Sequence, residues 1–121
     1  MAFVRPAFAD APAPAFTLFH LATIREWHFR LPPHLRARVA VEHEYAEEIL
    51  EIRADDGAII AALTRGPAGT FVAEDLWDRW AAPQLVRQLD EALDWIQEVL
   101  TSSGWMEGRP ECRPGADFAE H

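Results

Sequence analysis

The chain has 121 residues, half of them hydrophobic, and a formal net charge of −9. The length fits one domain, and seven Phe and five Trp supply enough apolar mass for a core, which excludes a wholly disordered chain. The acidic balance disfavours direct contact with nucleic acid or an anionic membrane, and leaves basic partners, cations or simple solubility.

Charge is distributed unevenly along the chain. Residues 1–41 carry five Arg and two acidic residues, whereas residues 42–121 carry six Arg and eighteen acidic residues. There is no Lys, so an Arg at a given position does not indicate that its planar side chain was preferred there. The acidic C-terminal two-thirds is therefore the part most suited to a basic partner.

Neither a signal peptide nor a membrane span is expected. The opening MAFVRPAFADAPAPAF is interrupted by Pro6 and Asp10 before the apolar core of a signal peptide forms. No apolar run approaches the ~20 residues that cross a bilayer. Cys112 is the single cysteine, which excludes an internal disulfide and fits a reducing compartment, so the expected location is cytoplasmic.

Composition divides the chain into three parts. Residues 1–15 alternate Ala and Pro and are expected to form a flexible arm. Residues 102–121 contain three Gly and two Pro and are expected to form a flexible tail, anchored by Trp105 and Met106. Residues 16–101 are expected to form a single α+β domain.

The first predicted element is a long strand over residues 16–31. Apolar residues alternate at positions 19, 21, 27, 29 and 31, and the Thr, Ile, Phe and Trp in this stretch favour strands. Pro32 and Pro33 end the strand, because proline cannot donate a hydrogen bond to a ladder.

A second strand is predicted from RARVAVEHEY, residues 36–45, where charged and apolar residues alternate. A helix that starts at Pro32 or Pro33 is the alternative, because proline suits a first helical turn. AEE, residues 46–48, is a poor turn sequence. We therefore favour a bulge within one long strand that continues through ILEIR, residues 49–53.

Two more strands are predicted after a hairpin turn. ADDG, residues 54–57, suits a turn in which Gly57 takes the left-handed conformation. AIIAAL, residues 58–63, is continuously apolar, which is typical of a central strand covered on both faces. TRGPAG, residues 64–69, is expected to be a loop, and TFV, residues 70–72, a short fourth strand.

Helical spacing dominates the last third of the chain. A first helix is expected to start near Ala73 or Glu74, and Pro83 is expected to begin a second helix or a kink. The first helix would place Leu76, Trp77 and Trp80 on one face. The second is indicated by Leu85, Leu89, Ala92, Leu93, Ile96 and Leu100, and it ends at Ser102, Ser103 and Gly104. The expected fold is therefore α+β: an antiparallel meander of three or four strands, with one face covered by a C-terminal helix or kinked helix pair.

No group of residues indicates catalysis. Paired carboxylates such as Asp55 and Asp56 are explained by the chemistry of a turn. Cys112 lies in the predicted tail, without the strand–turn–helix setting of a nucleophile. RGPAG, residues 65–69, is too short for a phosphate-binding loop. We therefore expect a non-enzymatic protein with no cofactor.

The histidines support one alternative function, a small-ligand or metal-binding α+β domain. Such a domain could also be an enzyme. HEYAE, residues 43–47, lacks the second His of the zinc-protease motif HExxH. Pairing of the first two predicted strands would nevertheless bring a His of the first strand near a Glu of the second. The residues concerned are His20, His28, Glu42 and Glu44. Nothing in the sequence fixes this register, so no bound metal is expected. A ligand pocket would lie between sheet and helix and would be lined by His43, Tyr45 and Trp side chains.

Asp90, Asp94 and Glu98 recur every four residues and form one acidic row on the predicted C-terminal helix. Repulsion within the row costs only a few tenths of a kcal/mol per pair, so a solvated face is the simplest interpretation. The alternative is recognition, because carboxylates spaced ~6 Å apart roughly match a phosphate backbone. Such a row suits a basic protein surface or a DNA mimic.

Three tryptophans complete the predicted binding residues. Trp95 is expected at the edge of the apolar stripe, beside the acidic row, while Trp77 and Trp80 form either a core cluster or an exposed anchor. The functional hypothesis is a small protein-binding module, such as an inhibitor, an immunity-type protein or an adaptor, with a basic protein as its partner. A homo-oligomer formed through an edge strand or the Trp77–Trp80 pair is the second alternative.

Overall fold

An antiparallel sheet of five strands, in the order β1-β2-β3-β4-β5, forms one layer of the molecule and two helices form the other. The computed structural model describes residues 16–42, 47–78 and 80–110. The strands are β1 (Leu35–Glu42), β2 (Glu47–Ala54), β3 (Ile59–Arg65), β4 (Phe71–Asp75) and β5 (Gln84–Val86), and the helices are α1 (Leu18–His28) and α2 (Leu89–Ser102). This confirms the predicted α+β meander, with slightly more strands than expected. The predicted arm, residues 1–15, and residues 111–121 of the predicted tail lie outside the described residues.

The prediction of a strand over residues 16–31 is wrong, because α1 occupies most of this stretch. Thr17 and His20 form a capping box: Thr17 Oγ1 accepts from His20 N, and His20 Nδ1 accepts from Thr17 N, both at 3.1 Å. Ile24 and Trp27 then lie one turn apart in the core. The alternation of apolar residues was compatible with either structure, and the helix cap decides between them.

The first hairpin confirms one expectation and corrects another. Residues 35–42 form a strand, as predicted, and not a helix. The single bulged strand through residue 53 is wrong, because β2 returns antiparallel to β1 with Glu48 opposite Val41. Residues 43–46, which join the two strands and include His43 and Tyr45, lie outside the described residues.

The central strand lies where the sequence predicted it. Gly57 adopts a positive φ of 91° in the turn that precedes β3, and Ala54 N donates to Ala58 O at 2.9 Å. β3 is the middle strand of the sheet, and its residues 60–63 are all buried. Both faces of β3 are thus buried, as its continuous apolar run indicated. The pairing of β2 with β3 shifts register between Ile52 and Arg53.

No helix forms near residue 73, so the first predicted helix is wrong. β4 extends to Asp75, whose carboxylate accepts hydrogen bonds from the backbone N–H groups of Trp77 and Asp78, both at 3.0 Å. Such side-chain bonds to the backbone compete with helical ones and favour a turn. Pro83 then precedes the edge strand β5 instead of starting a helix, and Leu85 is exposed on that strand instead of joining the helical stripe.

The C-terminal helix supplies the apolar layer that faces the sheet. The predicted stripe is confirmed apart from Leu85, since the buried residues of α2 are Leu89, Ala92, Leu93, Ile96 and Leu100. Gly104, with φ of 91°, ends the helix and lets Trp105 N donate to Leu100 O at 2.8 Å. α2 contacts β4 and β5, and α1 contacts β1 and α2. Neither described helix is both long and apolar enough to cross a membrane.

Candidate functional site

The two helices contact each other along a seam. The ring of Trp27 on α1 is buried at the bottom of this seam, and its Nε1–H donates to Gln97 Oε1 on α2 at 3.2 Å. This hydrogen bond joins residues that are 70 positions apart in the chain. It connects α1 to α2 at the bottom of the seam.

Three adjoining depressions follow the seam and form what we call the seam groove. The middle one, of about 500 Å³, is lined by Phe19, Thr23, Glu26, Trp27, Arg30, Asp90, Leu93 and Asp94. The next one towards the end of α2, of about 510 Å³, shares Arg30 and Asp94 with it. The one at the start of α2, of about 270 Å³, shares Phe19, Thr23 and Asp90. Because neighbouring depressions share wall residues, they adjoin, and together they follow α2 from Leu89 to Ser102.

The predicted acidic row forms one wall of the seam groove. Asp90 lines the first and middle depressions, Asp94 the middle and last, and Glu98 the last. All three side chains are exposed, and none makes an ion pair with an arginine of the described segments. The row therefore lies on a concave surface beside apolar side chains.

The opposite wall adds one acid and one base. Glu26 of α1 and Arg30, two residues after the end of α1, both line the middle depression. The four acids along the groove outnumber its two arginines, Arg30 and Arg87, so a positively charged segment in the groove would relieve repulsion within the row. A cation is thus the complementary charge for this surface.

The three predicted tryptophans lie in different environments. Trp77 is buried against the edge of the Trp105 ring, with centroids 5.0 Å apart, so it belongs to the core. Trp80 is exposed on the loop before β5, away from the groove. Trp95 is half-buried and packs against the core. Successive residues of a helix are 100° apart, so Trp95 flanks Asp94 on the side away from α1. Leu93 flanks Asp94 on the groove side.

The sequence did not identify the groove residues that α1 and the turn after it contribute. Phe19, Thr23, Glu26 and Arg30 all line the groove. Their spacing of four, three and four residues places them in one line along a helix, but a strand would have placed Phe19 and Glu26 on opposite faces. The recognisable signal was Thr17 three residues before His20, a capping box in which His replaces the usual Glu or Gln.

The predicted arrangement for a metal site does not form. His20 and His28 belong to a helix, so they cannot pair with β1 in the register that would bring them to Glu42 or Glu44. Among the described residues, no group of three or more His, Cys, Asp and Glu side chains lies close enough together to hold a metal ion. His34 is used structurally, since its Nε2 donates to Trp105 O at 2.6 Å.

His20 lies where α1 meets the sheet. Its Nδ1 accepts from Thr17 N and from Arg65 Nη1, each at 3.1 Å, so the neutral ring carries its proton on Nε2. The ring packs against the edge of Phe71 with centroids 5.2 Å apart. Burial, followed by the charge of Arg65, lowers the pKa of His20 from its usual value. The folded protein therefore favours the neutral ring.

We expect His20 to make the fold less stable in mild acid. A lowered pKa in the folded state means that the unfolded chain binds the proton more readily. The stabilisation is therefore complete above the usual pKa of 6.5 and is lost as pH falls through the folded value. Urea unfolding of the protein and of His20→Gln, at pH 7.5 and at several lower pH values, measures this. The Gln variant keeps a capping side chain and should show the smaller fall, and equal falls would contradict the prediction.

Comparisons with models of protein families, with curated proteins and with solved structures give no match to this chain. The functional argument therefore depends on the geometry of the seam groove.

Proposed function

We propose that this chain is a small, non-enzymatic protein-binding module that holds a basic segment of another protein in the seam groove. A role as an inhibitor, an immunity-type protein or an adaptor fits this activity. The observation that carries the proposal is that Asp90, Asp94 and Glu98 form one wall of a groove whose other wall exposes Phe19.

The position of the acids favours recognition over a merely solvated face. A row on a convex surface would be surrounded by water, whereas Asp94 has Leu93 and Trp27 beside it in the same depression. Apolar neighbours lower the local dielectric constant and strengthen the attraction for a cation that enters. The row then steers a basic partner to the groove, and the apolar residues hold it there.

The concave shape also favours one kind of partner. A DNA mimic must place its carboxylates on a projecting surface that enters the basic groove of a DNA-binding protein. Here the carboxylates line a depression, so the partner projects into this chain. A Lys- or Arg-bearing segment of a protein has the charge and the dimensions for this.

Charge reversal of the row tests the proposal. A partner is first identified by pull-down with the full chain from an extract of its source cells, followed by mass spectrometry. We expect the triple variant Asp90→Arg, Asp94→Arg and Glu98→Arg to bind this partner at least about tenfold more weakly, with most of the loss at low salt.

The matched control reverses three exposed acids outside the groove: Asp55, Glu91 and Glu107. Both triple variants change the net charge equally, so they separate the position of the charge from its amount. Circular dichroism verifies that each variant keeps its fold. Equal affinity of the partner for the two variants would refute the proposed function.

A further inference from the structure

We infer that the segment held in the seam groove is an amphipathic α-helix that carries Lys or Arg every four residues and a large apolar residue beside them. This inference rests on the proposed function and specifies the class of partner. Three observations carry it: an exposed aromatic ring in the groove, the spacing of the acids, and the helical backbone of both walls in the middle depression.

Phe19 is the apolar contact that the groove offers. Its side chain is 76 % exposed although it borders the buried Trp27 and Leu93 in the middle depression. Leu18, next to it, is 85 % exposed. Large apolar side chains that are grouped at the surface mark binding sites more often than isolated ones do. An apolar side chain of the partner would cover Phe19 and continue the layer formed by Trp27 and Leu93.

The acids define the spacing of the partner's charges. Side chains four residues apart on a helix lie about 6 Å from each other, and Asp90, Asp94 and Glu98 have this spacing on α2. Cations at the same interval on a second helix would face them one by one. The apolar residue then falls three or four positions from a cation, towards Phe19, which defines an amphipathic pattern.

The backbone of the groove walls favours a helix over an extended peptide. The middle depression, which contains Phe19 and Asp94, is lined by helical residues apart from Arg30, and the N–H and C=O groups inside each helix bond within that helix. An extended segment needs backbone partners of the kind that a sheet edge provides, and neither edge strand, β1 or β5, contributes a residue to this depression. A bound helix satisfies its own backbone groups and brings only side chains to the groove.

Three synthetic probes test the inference by fluorescence anisotropy with the full chain. The first is a peptide of about 18 residues with Leu and Lys at helical spacing, long enough to form a helix on its own. The second has the same composition with Leu and Lys alternating, which favours a strand. The third is oligolysine of equal charge. We expect the helical peptide to bind at least about tenfold more tightly than the other two.

Two pairs of variants locate the binding site. Phe19→Ala should weaken binding of the helical peptide at least about tenfold and leave oligolysine binding unchanged. Phe29→Ala is its control, because Phe29 is also exposed, at 77 %, but does not line the groove. Asp94→Arg should weaken binding of both probes, whereas Glu91→Arg, on the same helix, should leave both nearly unchanged.

The outcomes separate this inference from the proposed function. Tighter binding of the alternating peptide would identify an extended occupant, and an unchanged affinity in Phe19→Ala would show that the occupant makes no apolar contact with Phe19. Either result overturns the inference but leaves the proposed function intact, provided that the triple charge reversal still weakens the natural partner. If that reversal has no effect, the proposed function fails as well.

Discussion

Trp105→Ala is expected to lower the free energy of unfolding by about 3–5 kcal/mol, although Trp105 lies beyond the last helix. Its side chain is 1 % exposed and packs edge-on against Trp77 at a centroid distance of 5.0 Å. The guanidinium carbon of Arg109 lies 5.5 Å from the ring centroid on the other side. Removal of the indole would leave a large cavity beneath the end of α2, and the midpoint of urea unfolding measures the loss.

Two other variants make this experiment specific. Trp80→Ala removes the same side chain from an exposed site and should change stability by less than about 0.5 kcal/mol. Trp105→Phe should cost less than Trp105→Ala, because the indole Nε1–H finds no hydrogen-bond acceptor among the described residues and only ring volume is lost. If Trp105→Ala were as mild as Trp80→Ala, the segment after α2 would not belong to the core.

Composition predicted only part of the structure of the segment after α2. Gly and Pro predicted a tail there, and Trp105 and Met106 were correctly expected to anchor it: Trp105 is in the core and Met106 packs against it. The remaining contacts depend on distant residues. His34 Nε2 donates to Trp105 O at 2.6 Å, and Arg109 pairs with Asp56 at 2.8 Å. No local pattern specifies such pairs.

The pattern of apolar residues predicted some of the elements correctly. α2 and β3 are examples, since helical spacing identified the buried stripe of one and a continuous apolar run identified the central position of the other. It failed at α1 and β4. At α1 the cap involves His20, and at β4 the hydrogen bonds of Asp75 to the following backbone N–H groups override helical spacing.

One wall of the candidate site could be predicted from the sequence in the same way. The acidic row was found because its three members lie on one helix at a fixed interval. The wall that faces them was not found, because it depends on the packing of α1 against α2 and on a hydrogen bond across 70 positions. A groove between two elements is a tertiary property, and an error in one element removes it from the prediction.

Trp27 connects the stability of the fold to the proposed groove, and Trp27→Ala is the second variant with a large expected effect. The side chain is 3 % exposed and forms the bottom of the seam, so its removal should lower the free energy of unfolding by about 3–5 kcal/mol. This is a large share of the 5–15 kcal/mol typical of a small domain. Because α1 has few other contacts with α2, hydrogen exchange should accelerate more in α1 than in β3.

Trp27→Phe separates the packing of the ring from its hydrogen bond. It keeps an aromatic ring beneath the groove but loses the donor to Gln97 Oε1. The lost hydrogen bond should lower the free energy of unfolding by about 1 kcal/mol, and the smaller ring should lower it further. Gln97→Leu removes the other partner and leaves the buried indole N–H without its acceptor, at about 1–3 kcal/mol. A cost for Trp27→Phe as large as that for Trp27→Ala, with uniform hydrogen exchange, would contradict this account. The seam would then depend on the hydrogen bond more than on the ring, and the apolar bottom of the groove would be incidental to its geometry.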